Sequence, residues 1–199
     1  MVTALVAAIA LAGRGGVPGD DPANAGDGPR GVISSEPARS THGAQRAAVA
    51  IASATGSEVM FSPEARHALV KRIAHPDVES KLQKEYDAPY ARLNPIIGLN
   101  ADGKAPAGTE FVSRTMPAGT AVTEYSPSQA VVEVWAHGIL DLSGTGPAAA
   151  KDEPSDSWFT VTVSLRWHRG EWKMLSTEQT KGPTPDEAQP GDFGQAPPL

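Results

Sequence analysis

Residues 158–175 constrain the fold of this chain more than any other segment. In the first half of the segment every second residue is large and apolar, and threonine, serine and arginine lie between them; the apolar residues are Phe159, Val161, Val163, Leu165 and Trp167. A period of two is typical of a β-strand with one buried face. Arg169-Gly170 then predicts a two-residue turn, because glycine tolerates a positive φ. Such a turn sets Trp167 opposite Trp172 and Leu165 opposite Met174.

The aromatic side chains of this hairpin could fill a core or line a ligand site. Both cross-strand pairs lie on the face that carries Phe159 and Val161. Large aromatic residues fill cores more often than they line sites. We therefore predict that Trp167 and Trp172 are packed in the interior, beneath other elements.

Three helices are predicted before the strands. The first begins at Thr41 as N-cap and ends at Gly56, and the second has Ser62 as its cap and Pro63 at its first position. The second must end before Pro76. The third opens at Asp77, is closed by Asn94-Pro95, and is kinked or interrupted at Pro89; its core-facing stripe is Val78, Leu82, Tyr86, Tyr90 and Leu93.

Strand patterns occupy the rest of the domain. One strand covers roughly 109–125, with a bend or bulge where Pro117 and Gly119 interrupt it, and the next covers 128–142. The hairpin supplies two more. Helices followed by strands predict an α+β domain in which the N-terminal helices cover one face of a curved, four-stranded antiparallel sheet.

The flanks have a different composition from the domain. Residues 1–13 form an apolar run that could be a signal peptide, the inner end of a membrane helix or a buried helix. We favour the first two and interpret the run as a partial membrane anchor or an export segment. Residues 14–40 are interpreted as a flexible Gly/Pro linker, 41–180 as the domain, and 181–199 as a disordered tail.

Composition excludes several classes of function. The net charge is -6, and no Lys/Arg cluster offers a basic face for phosphates, so direct binding of nucleic acid is not expected. Cysteine is absent, which excludes disulfides and thiolate chemistry. The histidines lack metal-ligand spacing, and no phosphate-binding loop or nucleophile elbow is present. We predict no catalytic, cofactor-binding or metal-binding residue and no cofactor.

One constellation still has two interpretations. Glu133, Trp135 and His137 alternate along the second long strand and share one face of it. The carboxylate and the imidazole could act as base and acid in a proton-transfer pocket. Alternatively, this face is solvated or contacts a partner, with Trp135 at the centre of the interface. Tyr86 and Tyr90 could line a pocket too, although their helical spacing favours the core.

Three segments resemble a known family: "VTEYSPSQAVVEVW" (122–135), "WFTVTVSLRWHRGEWKML" (158–175) and the "GPTP" at 182–185. They are similar to the soluble domain of small membrane-anchored proteins of actinobacterial conjugative elements, the TcpC-like conjugation proteins, and to the inner-membrane scaffold subunit of type IV secretion systems. The similarity spans roughly residues 41–185. It implies a nuclear-transport-factor-2-like fold, a cone of helices over a curved sheet.

The resemblance also implies a function and a location. It implies a non-enzymatic scaffold component of a conjugative DNA-transfer apparatus that self-associates and contacts other transfer-channel subunits. A single N-terminal segment would hold it in the cell membrane with the domain on the extracytoplasmic side, or it would be secreted if that segment is cleaved. A small-molecule binder or a proton-transfer enzyme on the same fold is the alternative.

Overall fold

A computed structural model of the chain describes residues 38–144, 155–189 and 191–198. Helices come first and an antiparallel sheet second, so the predicted α+β class is confirmed. The helices are α1 Thr41–Thr55, α2 Pro63–Ile73 and α3 Glu79–Ile96, with a short 3₁₀ helix, Glu58–Phe61, before α2. The strands are β1 Thr109–Tyr125, β2 Gln129–Gly144, β3 Ser155–His168, β4 Glu171–Lys181 and β5 Gly194–Gln195.

The sheet has five strands in the order β4-β3-β2-β1-β5, so the prediction of four is wrong. The extra strand, β5, lies in the segment that the sequence predicts as a disordered tail. It pairs antiparallel with Gly119 and Thr120 of β1. A strand of two residues is too short to show any periodicity, and it forms here because an open edge of β1 is available to pair with.

The flanking predictions lie mostly outside the described residues. These are the apolar segment 1–13 and almost all of the linker 14–40. Among the helices of the described ranges, none is long and apolar enough to span a membrane.

Helix α1 covers the middle of the sheet and contacts β1, β2, β3 and β4. Its buried face consists mostly of small residues, which let the helix axis lie close to the strands; it comprises Ala44, Ala48, Val49, Ile51 and Ala52. Ser40, and not the predicted Thr41, is the N-cap, because its Oγ accepts a hydrogen bond from the Gly43 N–H at 3.0 Å. Gly56 is the C-cap, as predicted.

Helix α2 packs against α3, and both contact the short 3₁₀ helix. Ser62 caps α2 and Pro63 is its first residue, as predicted. Helix α3 starts later than the predicted Asp77 and continues through Pro89 and past Asn94 to Ile96. Tertiary contacts explain the continuation: Asn94 is buried, and its side-chain amide donates to the Phe61 carbonyl at 3.0 Å, which fixes the last turns.

The predicted features of the strands are present. The register of β1 against β2 shifts between Pro117 and Gly119, where a bulge is predicted. In the β3–β4 turn, Arg169 and Gly170 have φ of 49° and 92°, as a two-residue turn with two left-handed positions requires. Trp167 pairs with Trp172, and Leu165 pairs with Met174. Each of these four predictions is confirmed.

The core lies between α1 and one face of the sheet. Val132, Val134 and Ala136 of β2 are fully buried there, beside Val163 and Met174. Trp172 is 7% exposed, so it belongs to this core as predicted. Trp167 is only partly buried and packs at the margin of the core, with its ring 5.3 Å from that of Trp172.

Candidate functional site

The face of the sheet that is turned away from α1, called the outer face below, carries the residues that could act on another molecule. Val132, Val134 and Ala136 point into the core, so the alternating Glu133, Trp135 and His137 point outward. The sequence predicts this arrangement. Strand β3 adds Trp158, which is directly opposite His137.

Four rings make a continuous aromatic surface on the outer face. The rings of Trp135 and Trp158 are stacked at 4.5 Å, and His137 lies 5.0 Å from Trp158. Phe193, from the segment before β5, stacks on Trp135 at 5.7 Å with an interplanar angle of 16°. We call His137, Trp158, Trp135 and Phe193 the aromatic row.

The C-terminal segment that carries Phe193 crosses the outer face from β3 to β1. Its first contact is a backbone hydrogen bond from Gly182 N–H to the Trp158 carbonyl at 3.1 Å. The indole N–H of Trp135 then donates to the Pro183 carbonyl at 2.8 Å. This bond satisfies the polar atom of an otherwise apolar ring, so Trp135 is held by the segment on its edge and by Phe193 on its face.

A glycine in β1 makes room for Phe193. Gly119 is the residue opposite Trp135 in the β1–β2 ladder. A Cβ at position 119 would lie 2.7 Å from the Cβ of Phe193, which is closer than real Cβ atoms approach. Gly119 therefore leaves a gap in the outer face, and the Phe193 ring fills that gap against Trp135.

A turn shapes the segment between Pro183 and β5. The Glu187 carboxylate accepts hydrogen bonds from the backbone N–H and the hydroxyl of Thr184, at 2.9 Å and 3.0 Å. The backbone bond and then the hydroxyl bond lower the pKa of Glu187 below its ordinary value. Asp192 likewise accepts from Gln189 N–H at 2.9 Å. These local bonds give the segment a defined path.

Glu133 and His137 do not converge on one point. They are four residues apart on a regular strand, which separates their Cα atoms by about 13 Å. Trp135 lies between them, Thr162 is opposite Glu133, and the Trp158 ring covers His137. An acid and a base that act on one substrate must both reach its reacting atoms, and this spacing does not favour that. The outer face is suited instead to the packing of an apolar or aromatic segment.

The tryptophans of the β3–β4 hairpin adjoin a second concave region. An open cleft of about 480 Å³ lies between α1 and the β3–β4 turn, and Ala38, Arg46, Arg72, Trp167 and Pro198 are among its lining residues. The indole N–H of Trp172 donates to the Ala38 carbonyl at 2.9 Å. Lys173 Nζ donates to the Glu171 carboxylate at 2.6 Å and to the Arg72 carbonyl at 2.8 Å. The hydrogen bond from Lys173 lowers the pKa of Glu171 below its ordinary value. The cleft thus has cationic side chains beside an aromatic wall.

The histidines are dispersed over different parts of the fold. His42 lines the cleft, and His67 binds the Asp87 carboxylate at 2.9 Å. His75 and His168, remote in sequence, have ring centroids 4.8 Å apart. Within the described ranges, no group of three or more His, Asp or Glu side chains is arranged to hold a metal ion.

The buried polar residues of the helices serve packing. The Tyr86 hydroxyl bonds Thr177 Oγ1 of β4 at 2.7 Å, and the Tyr90 ring meets Phe61 edge-on at 5.0 Å. Burial raises the pKa of both tyrosines. Tyr86 is a core residue and Tyr90 is partly buried against the core, as their helical spacing indicates. The guanidinium of Arg66, which the sequence did not single out, is buried between the Met60 carbonyl and Asp87.

Sequence reasoning found Glu133, Trp135 and His137 but missed Trp158, Phe193 and Gly119. Trp158 could have been found by extending the strand alternation to β3, because it has the outward parity of Thr160 and Thr162. Phe193 is an isolated aromatic residue in a Gly/Pro-rich segment, and its place depends on a path of the chain that no periodicity encodes.

Comparison with known proteins finds a weak structural likeness. No protein-family model matches the chain, and a search of the curated proteins gives no match. The crystal structure of the intermembrane space region of the chloroplast protein ARC6 is similar to this chain with a TM-score of 0.39 and 14% identity; the alignment covers 71% of this chain and 92% of that one. A likeness at this level does not indicate a function for this chain.

Proposed function

We propose that this chain is a non-enzymatic scaffold component of a conjugative DNA-transfer apparatus of the type IV secretion kind, and that it acts through protein–protein contacts. Its partners are other transfer-channel subunits and further copies of itself, without direct contact to nucleic acid. An N-terminal segment holds it in the cell membrane, with the domain on the extracytoplasmic side. The residues that motivate this proposal are the three segments that resemble conjugation proteins.

The finer fold that goes with this proposal is the nuclear-transport-factor-2-like fold. Two observations support it: α1 lies across four strands of an antiparallel sheet, and a bulge at Pro117 and Gly119 interrupts the long strand β1. In this chain the space beneath the helices is filled by side chains such as Val134, Val163 and Met174, which are 0% exposed.

The single observation that carries the functional proposal is the aromatic row. Tryptophan is enriched at the centres of protein interfaces, where a flat apolar ring is combined with one polar atom. Trp135 and Trp158 are half-buried on the face away from the core, and Met116, across the ladder from His137, is 42% exposed. This surface favours contact with a protein segment over chemistry on a small substrate.

Deletion of the domain tests the proposal in cells. A strain that lacks residues 41–180 should lose plasmid transfer, and the full chain supplied in trans should restore it. The purified chain should also retain transfer-channel subunits from a membrane extract. Normal transfer without the domain, or a pull-down without any channel subunit, contradicts the proposal.

A matched pair of variants assigns the effect to the outer face. Trp135→Ala should lower both transfer and subunit retention, because it removes the centre of the aromatic row. Thr162→Ala, on the same face but outside the row, should leave both unchanged. Circular dichroism and thermal melting of each variant separate a lost contact from a lost fold, and equal behaviour of the two variants contradicts the assignment.

The alternative function is a small-molecule binder, which the cleft beside α1 favours. Arg46 and Arg72 at an aromatic wall suit an anionic aromatic ligand. Under this alternative, a panel of aromatic carboxylates and phosphates should raise the melting temperature of the chain. Arg46→Ala should remove that rise, while Trp135→Ala should not.

A further inference from the structure

Residues 191–196, called the tail segment below, bind the sheet as a separate peptide would. They contribute the short strand β5, which pairs antiparallel with Gly119 and Thr120 at the edge of β1. The Ala196 N–H donates to the Ala118 carbonyl at 3.3 Å, which extends the pairing by one bond. Addition of a strand to an exposed sheet edge is a common mode of peptide recognition, in which backbone bonds give affinity and pockets give specificity.

The side-chain pocket of this site is the gap above Gly119. Phe193 occupies this gap and stacks on Trp135, so the shape of the gap selects for an aromatic side chain at this position. A Cβ at Gly194 would lie 3.6 Å from the Thr120 carbonyl oxygen, an ordinary contact distance, so this position also tolerates a small side chain. The site therefore fits an extended segment with one aromatic residue at the position of Phe193.

The tail segment has little buried surface, although Ala196 packs against the edge of the core and the next residue, Pro197, is buried. Gly191, Asp192, Gly194 and Gln195 are exposed, and Phe193 is only partly buried. A ladder of two residue pairs is short compared with the long ladders between the other strands. A contact of this size opens and closes readily, because few buried groups must separate.

We propose that the β1 edge at Ala118–Thr120, together with Trp135, is a docking site for the tail segment of a second copy of this chain. Every copy carries both the site and the segment that fills it, so exchange between two copies replaces each lost contact with an identical one. This inference rests on the proposed scaffold function, because it needs an assembly that brings copies of the chain together. Exchange competes with the tethered segment of the same copy, and it becomes populated where an assembly holds copies at a local concentration comparable to that of the tethered segment.

The bulge in β1 limits the length of the exchanged strand. The register of β1 shifts between Pro117 and Gly119, and a bulge bends the strand and disrupts regular pairing there. The site accepts a short segment, and the edge is protected from open-ended pairing with longer strands.

Cysteine cross-linking in the full-length chain tests the exchange. The chain has no cysteine, so every disulfide that forms involves engineered positions only. Thr120 and Gly194 are direct partners in the antiparallel ladder. Such partners have Cα atoms about 4.5–5.5 Å apart, within the range that a disulfide spans.

A double variant first establishes the geometry. A chain with Thr120→Cys and Gly194→Cys should form an internal disulfide at low protein concentration. This confirms that both variants fold and that the pair can react. Failure to form it in a chain with parental circular dichroism overturns the site itself.

The exchange is then measured between two different chains. The acceptor carries Thr120→Cys and Phe193→Ala, which weakens its own tail segment, and the donor carries Gly194→Cys. Mixed at high concentration under oxidising conditions, they should give a disulfide-linked heterodimer. A donor that also carries Phe193→Ala should give about tenfold less, because loss of an aromatic anchor typically costs that factor or more in affinity.

A control acceptor identifies nonspecific oxidation. It carries Glu178→Cys and Phe193→Ala, with the cysteine at an exposed residue of β4 away from the tail segment. Equal heterodimer yields with the two acceptors, or no effect of Phe193→Ala in the donor, overturn the exchange. The transfer assay is a separate readout. If transfer depends on the domain but no heterodimer forms, only this docking site is contradicted. If the heterodimer forms but loss of the domain leaves transfer unchanged, only the scaffold function is contradicted.

Discussion

At the scale of single residues, the two tryptophans of the β3–β4 hairpin have different roles although they face each other. Trp172 is 7% exposed and its indole N–H bonds the Ala38 carbonyl, whereas Trp167 is partly buried beside the cleft. Arg39 lies over the Trp167 ring at 5.6 Å. Only Trp172 has its full area within the core, so the contributions of the two side chains to the free energy of unfolding should differ.

We expect Trp172→Ala to lower the free energy of unfolding by about 3–5 kcal/mol, as large-to-small substitutions in a core do. Trp167→Ala should cost less, about 1–2 kcal/mol, because part of its ring stays in contact with water. Equilibrium urea denaturation of both variants measures the difference. Equal losses would contradict the difference in burial.

Asp87 is the partner of the buried Arg66. Burial on its own would raise the pKa of Asp87, but the hydrogen bonds from Arg66 and His67 outweigh it, and the net effect lowers the pKa below its ordinary 3.8. A carboxyl group whose pKa is lower in the folded state stabilises the fold above its unfolded pKa. That contribution is lost as the pH falls through the folded value.

Asp87→Asn should therefore lower the free energy of unfolding by about 1–3 kcal/mol at pH 7, since it leaves the Arg66 guanidinium without its counter-charge. Below about pH 4 the variant and the parent should approach each other. Asp77→Asn, whose side chain is 67% exposed, is the matched control and should have a smaller effect. Thermal melting between pH 3 and pH 7 tests this; a constant gap would show that charge is not the cause.

At the scale of elements, strands with strong alternation were predictable and short or interrupted elements were not. The turn of the β3–β4 hairpin and the pairs Trp167–Trp172 and Leu165–Met174 were predicted, because turn chemistry and alternation agree there, whereas the register shift between Ser164 and Leu165 was not. Helix α3 starts two residues after the predicted Asp77, and it continues past the predicted end at Asn94-Pro95 because the Asn94 side chain bonds the Phe61 carbonyl. Strand β5 has no local signal at all.

The hairpin turn offers a test of backbone conformation separate from packing. Gly170 has φ of 92°, and a Cβ added there would meet no atom within 4 Å, so Gly170→Ala should cost only the backbone strain, about 1 kcal/mol. Arg169 occupies φ of 49°, which asparagine tolerates better, and Arg169→Asn should stabilise by up to about 1 kcal/mol. Urea denaturation of both variants measures the opposite signs; a shared sign would contradict the assigned turn.

At the scale of the whole molecule, the two faces of the sheet differ in what the sequence reveals about them. The covered face follows from alternation, because burial of Val132, Val134 and Val163 dictates it. The candidate site depends on four segments that are separate in sequence, and they supply Gly119, Trp135, Trp158 and Phe193. The sequence predicts that Trp135 lies on the outer face. It does not predict the aromatic row, because the position of Phe193 depends on the path of the chain after Lys181.

The cleft beside α1 contains both Ala38 and Pro198, near the two limits of the described chain. The polypeptide thus comes into the domain and leaves it at the same corner. A fusion partner or a fluorescent label inserted directly before Ala38 or directly after Pro198 would therefore be held at that corner. Two such groups would crowd each other, and neither could mark the opposite side of the domain.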